Sequence, residues 1–312
     1  MKFGYQQPAH SFAVGNIFAK LNKIAMECEE QGYDSFWIMD HLVQIPFAGK
    51  IAEPILEPYT ALSGIASRTS KIKLGALCTC NFFRSPGLLA KMGATLDHIS
   101  HGRFWMGLGA GWFEEEAKMY GYEFRSAKER IEMLGESLQI VKQAWTQDKC
   151  TFHGKYYQVS DMVLEPKPAQ KPHPPILVGG GGEKMTLKLV ARYADACNIF
   201  PKGEELKRKL DALKEHCRSE GRSYDSILKT KLATVFFGES KEAALKKALK
   251  YKPREMTVEH FASSAMFGSP KEIIREVEEL EELGIQYLII NFRGKYDSSS
   301  KRRFAKNVAG TF

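Results

Sequence analysis

Asp40 and His41 stand side by side directly after the short apolar run Ser35 to Met39. An imidazole is the side chain best suited to take and return a proton near neutral pH, and an adjacent carboxylate can orient it. His41 is therefore the candidate acid/base group and Asp40 its candidate support. The segment GLGAGWFEEE, Gly107 to Glu116, carries glycines at alternate positions. Trp112 stands where a dinucleotide fingerprint would go on toward its last glycine, so that reading is weak. Gly109 and Gly111 permit close backbone approach to a flat ligand or a tight turn, and the segment alone leaves both open. Trp112 and Phe113 suit a pocket wall, and the triplet Glu114 to Glu116 suits the first turn of a helix through its dipole.

VGGGGEKM, Val178 to Met185, is more specific. Gly179, Gly180, Gly181 and Gly182 free several N–H groups between an apolar run and a helix start, which favours an anion such as phosphate. The six cysteines include no CxxC pair and no Cys/His cluster at zinc spacing, so no metal site is expected. Cys78 and Cys80 fall on one side of a strand, leaving a vicinal redox pair open. No GxSxG elbow or ordered Ser/His/Asp set points to acyl transfer.

These residues need elements to hold them. Apolar runs predict strands at 2–6, 35–39, 71–79, 103–109, 176–178, 194–200, 227–237 and 285–292. Helical spacing predicts returns over 17–31 (capped by Asn16 and ended by Gly32), 59–67, 85–100, 114–120, 127–145, 183–192, 204–220, 241–251, a segment near Val258, and 270–283 behind Ser269 and Pro270. Nothing but a basic tail is expected after the last strand. CTFHGKYYQV suggests a hairpin and EPKPAQKPHPP a stiff connector. Eight βα units suit a (β/α)8 TIM barrel within one α/β domain spanning 1–312, with insertions after strands 4 and 7. A doubly wound sheet is the alternative. In a barrel, ligands meet the residues that follow each strand, which is where the candidates above lie.

Composition is that of an ordinary globular protein, with 44% hydrophobic and 26% charged residues. The net charge of +8 is spread over helical stretches with interleaved glutamates, so no nucleic-acid partner is expected. No apolar run reaches membrane-helix length, and MKFGYQQPAH lacks the apolar core of a signal peptide. The expectation is a cytoplasmic protein with no membrane partner, acting on a small-molecule substrate.

The segments DSFWIMDH, RSPGLLAKMGATLDHISHGRFWMGLGAGWFEEEAKMYGYEF, LEPKPAQKPHPPILVGGGGEKM and ARYADACNIF together resemble the luciferase-like flavin oxidoreductase superfamily, in its branch dependent on the deazaflavin coenzyme F420. The likeness covers most of residues 1–200. Residues 146–175 supply the hairpin and connector, and 201–265 form a variable region that matches poorly. The resemblance implies a luciferase-like TIM barrel and hydride transfer between F420 and an organic substrate, with FMN and a two-component monooxygenase as the alternative, or cofactor binding without turnover. It implies Asp40 and His41 beside the ring, and a non-proline cis peptide near Ala76 and Leu77. It implies Thr79 at the ring edge, Gly109, Gly111 and Trp112 along the ring, and Gly179 to Gly182 on the phosphate. Relatives often pair through barrel helices, which leaves a homodimer as an open expectation. Some sugar-phosphate dehydrogenases of the family place a glutamate directly after the GxGxG glycines, where this chain has Trp112. Helical geometry is expected to aim Glu116 elsewhere, leaving proton transfer to His41, another residue or the substrate.

Overall fold

The computed structural model describes residues 1–8, 16–46, 48–253, 256–293 and 298–312. Residues 9–15, in the loop expected before Asn16, and residues 294–297, after the last strand, lie outside them. Eight parallel strands close on themselves: β1 (Lys2–Gln7), β2 (Ser35–Ile38), β3 (Lys73–Ala76), β4 (Phe104–Gly109), β5 (Ile176–Gly179), β6 (Ala196–Asn198), β7 (Leu228–Phe237) and β8 (Tyr287–Asn291). Each pairs with its successor, and β8 returns to β1 with Lys2 opposite Tyr287. Runs such as SFWI in β2 and YLIIN in β8 are buried at every position, as strands covered on both faces must be. This is the expected TIM barrel.

Two layers of apolar packing hold it. Between strands and helices lies the main core, with Phe36, Leu74, Phe104, Val178 and Ile290 among its fully buried members. Inside the barrel Trp37, Leu177, Ala196, Tyr287 and Ile289 fill the lumen, with Trp105 against them. Gly75 makes room for an indole there, since a Cβ would sit 2.4 Å from Trp37. The floor is thus solid, and open space remains at the C-terminal mouth.

Helix starts follow local chemistry. Ser85 accepts a hydrogen bond from the Leu88 N–H ahead of Pro86, and Ser126 with Glu129 and Ser269 with Glu272 form capping boxes. Asn16 departs from expectation: it has φ 72° and no side-chain cap bond, so it enters the helix Ile17–Glu30 through its backbone. The predicted strand 71–79 stops at Ala76 and resumes only as Thr79–Cys80, which pairs with Leu108 and Gly109. The non-proline cis peptide is Leu77–Cys78, one bond beyond the expected position. The helix expected from Glu183 begins at Thr186, and the one expected through Tyr251 ends at Ala248 before a 3-10 turn.

The segment after β4 holds the helix Glu114–Met119, the helix Ala127–Thr146 and the hairpin Cys150–His153 with Gln158–Met162. After β7, the helices Lys241–Ala248 and Val258–Ser264 lead to a short strand absent from the sequence reading, Met266–Gly268, which pairs with Val235–Phe237. The chain after β8 is more than a tail. A helix, Ser298–Asn307, buries Phe304 against Phe3 and Phe292, and the buried Lys301 ammonium donates to the Ile24 carbonyl and to Glu27. Among the described residues, no helix is long and apolar enough to cross a membrane.

Candidate active site

The mouth holds a cavity of about 920 Å³, within the size range of ligand sites. Its lining draws on all eight strands or the loops after them, among them Gln6, His41, Leu77, Gly111, Gly179, Phe200, Thr234 and Asn291. The sequence candidates converge here, with corrections that change their roles.

His41 and Asp40 do not form the expected pair. His41 Nδ1 lies 2.9 Å from Oε2 of Glu116, both side chains being almost fully buried. The other oxygen of Glu116 accepts from the backbone N–H groups of Leu42 and Val43, the latter at 3.2 Å. Three donors thus converge on Glu116 when His41 carries its hydrogen on Nδ1. That tautomer leaves Nε2 as the nitrogen available to a ligand. Glu116 is therefore brought into the site rather than aimed away from it. Its signal was one helical turn of spacing: Glu116 and Ala117 follow Phe113 by three and four residues, and all three are buried.

Asp40 serves a different partner. Its Oδ2 accepts from the Cys80 N–H at 2.8 Å and from Arg84 Nη1 at 2.9 Å, and Oδ1 accepts from Arg84 Nη2 at 3.0 Å. Arg84 also reaches Glu57 at 2.5 Å, the carboxylate that caps the helix Pro58–Ala66, and lies over the Tyr59 ring. Burial pushes the Asp40 carboxyl above its usual range while the Arg84 fork pulls the other way. Arg84 thus ties the loops after β2 and β3 and the helix between them; nothing in the spacing announced it.

The remaining candidates divide by position. Leu77, Gly109, Gly111, Trp112, Gly179 and Gly180 line the cavity. Ala76 is buried in the barrel wall, its carbonyl only 2.1 Å from where a Gly107 Cβ would stand. Thr79 turns outward, with its hydroxyl 2.8 Å from the Tyr59 hydroxyl under the helix layer. Gly181 and Gly182 continue the loop beyond the lining, and Lys209 donates to the Gly181 carbonyl at 2.8 Å. Thr186, at the helix start, returns to the cavity.

Three lining glycines are places where a side chain would not fit. A Cβ on Gly179 would stand 2.3 Å from the Cys78 sulfur, and one on Gly111 (φ 76°) would stand 2.7 Å from the Cys80 sulfur. Gly180 has φ 124°, a conformation that favours glycine. Glycine at 179 and 111 thus lets the two thiols pack against the backbone, and leaves bare backbone where these residues line the cavity. Burial raises both cysteines, Cys78 to about 12, so they remain thiols at neutral pH rather than reactive thiolates. Over His41 stand Trp112, 5.6 Å away ring to ring, and Phe113, which stacks on Trp112 at 5.1 Å. Trp112 is 52% exposed at the rim.

Comparison with known proteins agrees with this architecture. A family model described as luciferase-like monooxygenase matches residues 1–287. An F420-dependent glucose-6-phosphate dehydrogenase of Kineococcus radiotolerans is 32% identical over 285 residues, covering 90% of this chain and 80% of the relative. An FMNH2-dependent dimethylsulfone monooxygenase of Pseudomonas putida is 32% identical over 203 residues, 64% of this chain and 53% of its own. An F420-dependent secondary alcohol dehydrogenase, solved with an F420-acetone adduct, superimposes with a TM-score of 0.87 over 100% of this chain and 99% of its own, at 21% identity, a likeness of fold.

Proposed function

This chain belongs to the luciferase-like monooxygenase family, and from that premise we propose that it is an oxidoreductase using the deazaflavin coenzyme F420 to exchange a hydride with a small organic substrate. The observation that carries the reading is the buried His41–Glu116 pair beside a glycine-walled slot. A cavity wall of bare backbone at Gly109, Gly111, Gly179 and Gly180 fits a planar ring system, and the Gly179 to Gly182 loop with the helix start at Thr186 fits a phosphate. When bound, a deazaflavin supplies a ring carbon that accepts or donates hydride. The chain's own residues do the rest. His41 Nε2 takes a proton from a substrate hydroxyl or returns it to a carbonyl oxygen, while Glu116 fixes the tautomer and orientation of the ring. Trp112 and Phe113 shield that nitrogen from bulk water, and Asp40 with Arg84 holds the loop that carries His41.

The reading extends to one domain over 1–312, with 146–175 and 201–265 as its variable parts, in a cytoplasmic homodimer. Light scattering of the purified protein tests the dimer. The second reading keeps the fold and takes FMN for a two-component monooxygenase, favoured by the likeness to the dimethylsulfone enzyme. Titration with F420 and with FMN, followed by the optical change of each cofactor, separates the two. F420 binding is the expected result, and tight FMN binding without F420 binding would reverse the choice.

A further inference from the structure

We infer that Asn291, oriented by Gln6, reads the imide edge of the cofactor ring by accepting its ring N–H. The inference rests on the cofactor reading above, and its argument begins at a backbone carbonyl. Gln6 is 3% exposed near the end of β1 and donates from Nε2 to the Leu77 carbonyl at 3.3 Å. A carbonyl can only accept, so this contact fixes which way the Gln6 amide faces. Its oxygen is then turned to β8, where it accepts from Asn291 Nδ2 at 2.8 Å. The strands are neighbours with Tyr5 opposite Ile290, so Gln6 and Asn291 are the next step of the same register. The direction set at Leu77 therefore passes through two amides and leaves Asn291 Oδ1 as the free end.

That oxygen is buried and has no hydrogen-bond partner among the described residues, and both amides line the cavity. A buried acceptor left unpaired is costly, so the ligand that fills the cavity is expected to bring a donor. The substrate hydroxyl is already assigned to His41 Nε2. Oxidised flavin and deazaflavin rings share one ring N–H, the imide between the two pyrimidine carbonyls, so either cofactor satisfies Asn291 in the same way. The deazaflavin has a second donor, a phenolic hydroxyl at the far end of the ring system, which the test must separate.

The test measures dissociation constants of 8-hydroxy-5-deazariboflavin, its N3-methyl derivative and its 8-O-methyl derivative, with wild type, Asn291→Ala and Asn291→Asp. N3-methylation should weaken binding to wild type about tenfold, the worth of one ordinary hydrogen bond. Asn291→Ala should bind the parent and the N3-methyl compound alike. Asn291→Asp retains an acceptor and should still prefer the parent, which keeps the test sound if the alanine variant folds poorly. Equal binding of parent and N3-methyl compound by wild type would overturn the inference and leave the cofactor reading intact. A loss on 8-O-methylation that disappears in Asn291→Ala would overturn it by reversing the ring. Failure of wild type to bind any deazaflavin or flavin would instead bring down the reading beneath it.

Discussion

His41 and Glu116 lie 75 residues apart in sequence and 2.9 Å apart in space, joined from Nδ1 to Oε2 beneath Trp112 and Phe113. The carboxylate does for the imidazole what the adjacent Asp40 was expected to do. Glu116→Gln preserves the volume but offers a donor to Nδ1, inverting the tautomer and moving the proton onto Nε2. Single-turnover hydride transfer should fall roughly 10²- to 10⁴-fold, with cofactor affinity little changed. An unaltered rate would remove Glu116 from the chemistry.

Arg84→Met leaves the Asp40 carboxylate buried with a single N–H donor from Cys80. Loss of one partner from such a pair costs about 3–5 kcal/mol. Because burial holds the Asp40 pKa above its unfolded value, the penalty is greatest at neutral pH and shrinks as pH falls through the raised value. Urea denaturation at pH 7 and pH 5 should show this convergence, and adding Asp40→Asn should recover part of the loss at pH 7.

Lys231 is almost wholly buried on β7, where its ammonium donates to the Phe200 and Pro201 carbonyls and faces Lys202 and Glu276. Burial, with a smaller push from Lys202, lowers it to about 7. A lysine with an unfolded pKa of about 10.4 stays protonated when unfolded while the folded chain releases its proton above 7. This one group should make stability rise with pH by up to about 1.4 kcal/mol per unit between those limits. The wild type should therefore gain on Lys231→Met between pH 6 and pH 9 in chemical denaturation; a constant difference would show an unshifted amine.

Gly180→Ala forces a side chain onto φ 124° and brings its Cβ to 3.3 Å from the Thr186 methyl. Backbone strain of this kind costs about 1–3 kcal/mol. If this loop holds phosphate, affinity for full-length F420 should drop about tenfold or more. Binding of the phosphate-free chromophore should hardly change, and calorimetry on the two ligands makes the comparison.

The barrel was legible because parallel strands buried on both faces stand out as short apolar runs, alternating with segments of helical spacing. The glycine slot was legible for a related reason: a residue without a side chain at a strand end marks a close approach. Glu116 was hidden because a charged triplet at a helix start reads as solvated, and its burial depends on donors from Leu42 and Val43, which only the closed barrel brings near. Thr79 was set at the ring edge by resemblance alone, and the break after Ala76 that turns its hydroxyl toward Tyr59 leaves no mark in the apolar pattern. SSSKRRFAKN hid the last helix, since its main anchors to the barrel, Lys301 and Phe304, are too few for a visible apolar period.

Trp112 offers a last consequence, a spectroscopic one. Of the chain's four tryptophans, Trp37 and Trp145 are sealed in the interior, whereas Trp112 is 52% exposed above His41. Its emission should be the red-edge component of the native spectrum and the part most open to a soluble quencher. A neighbouring imidazolium also quenches an indole, so that same component would report the charge on His41 without any label. The rim of the cavity carries its own optical probe.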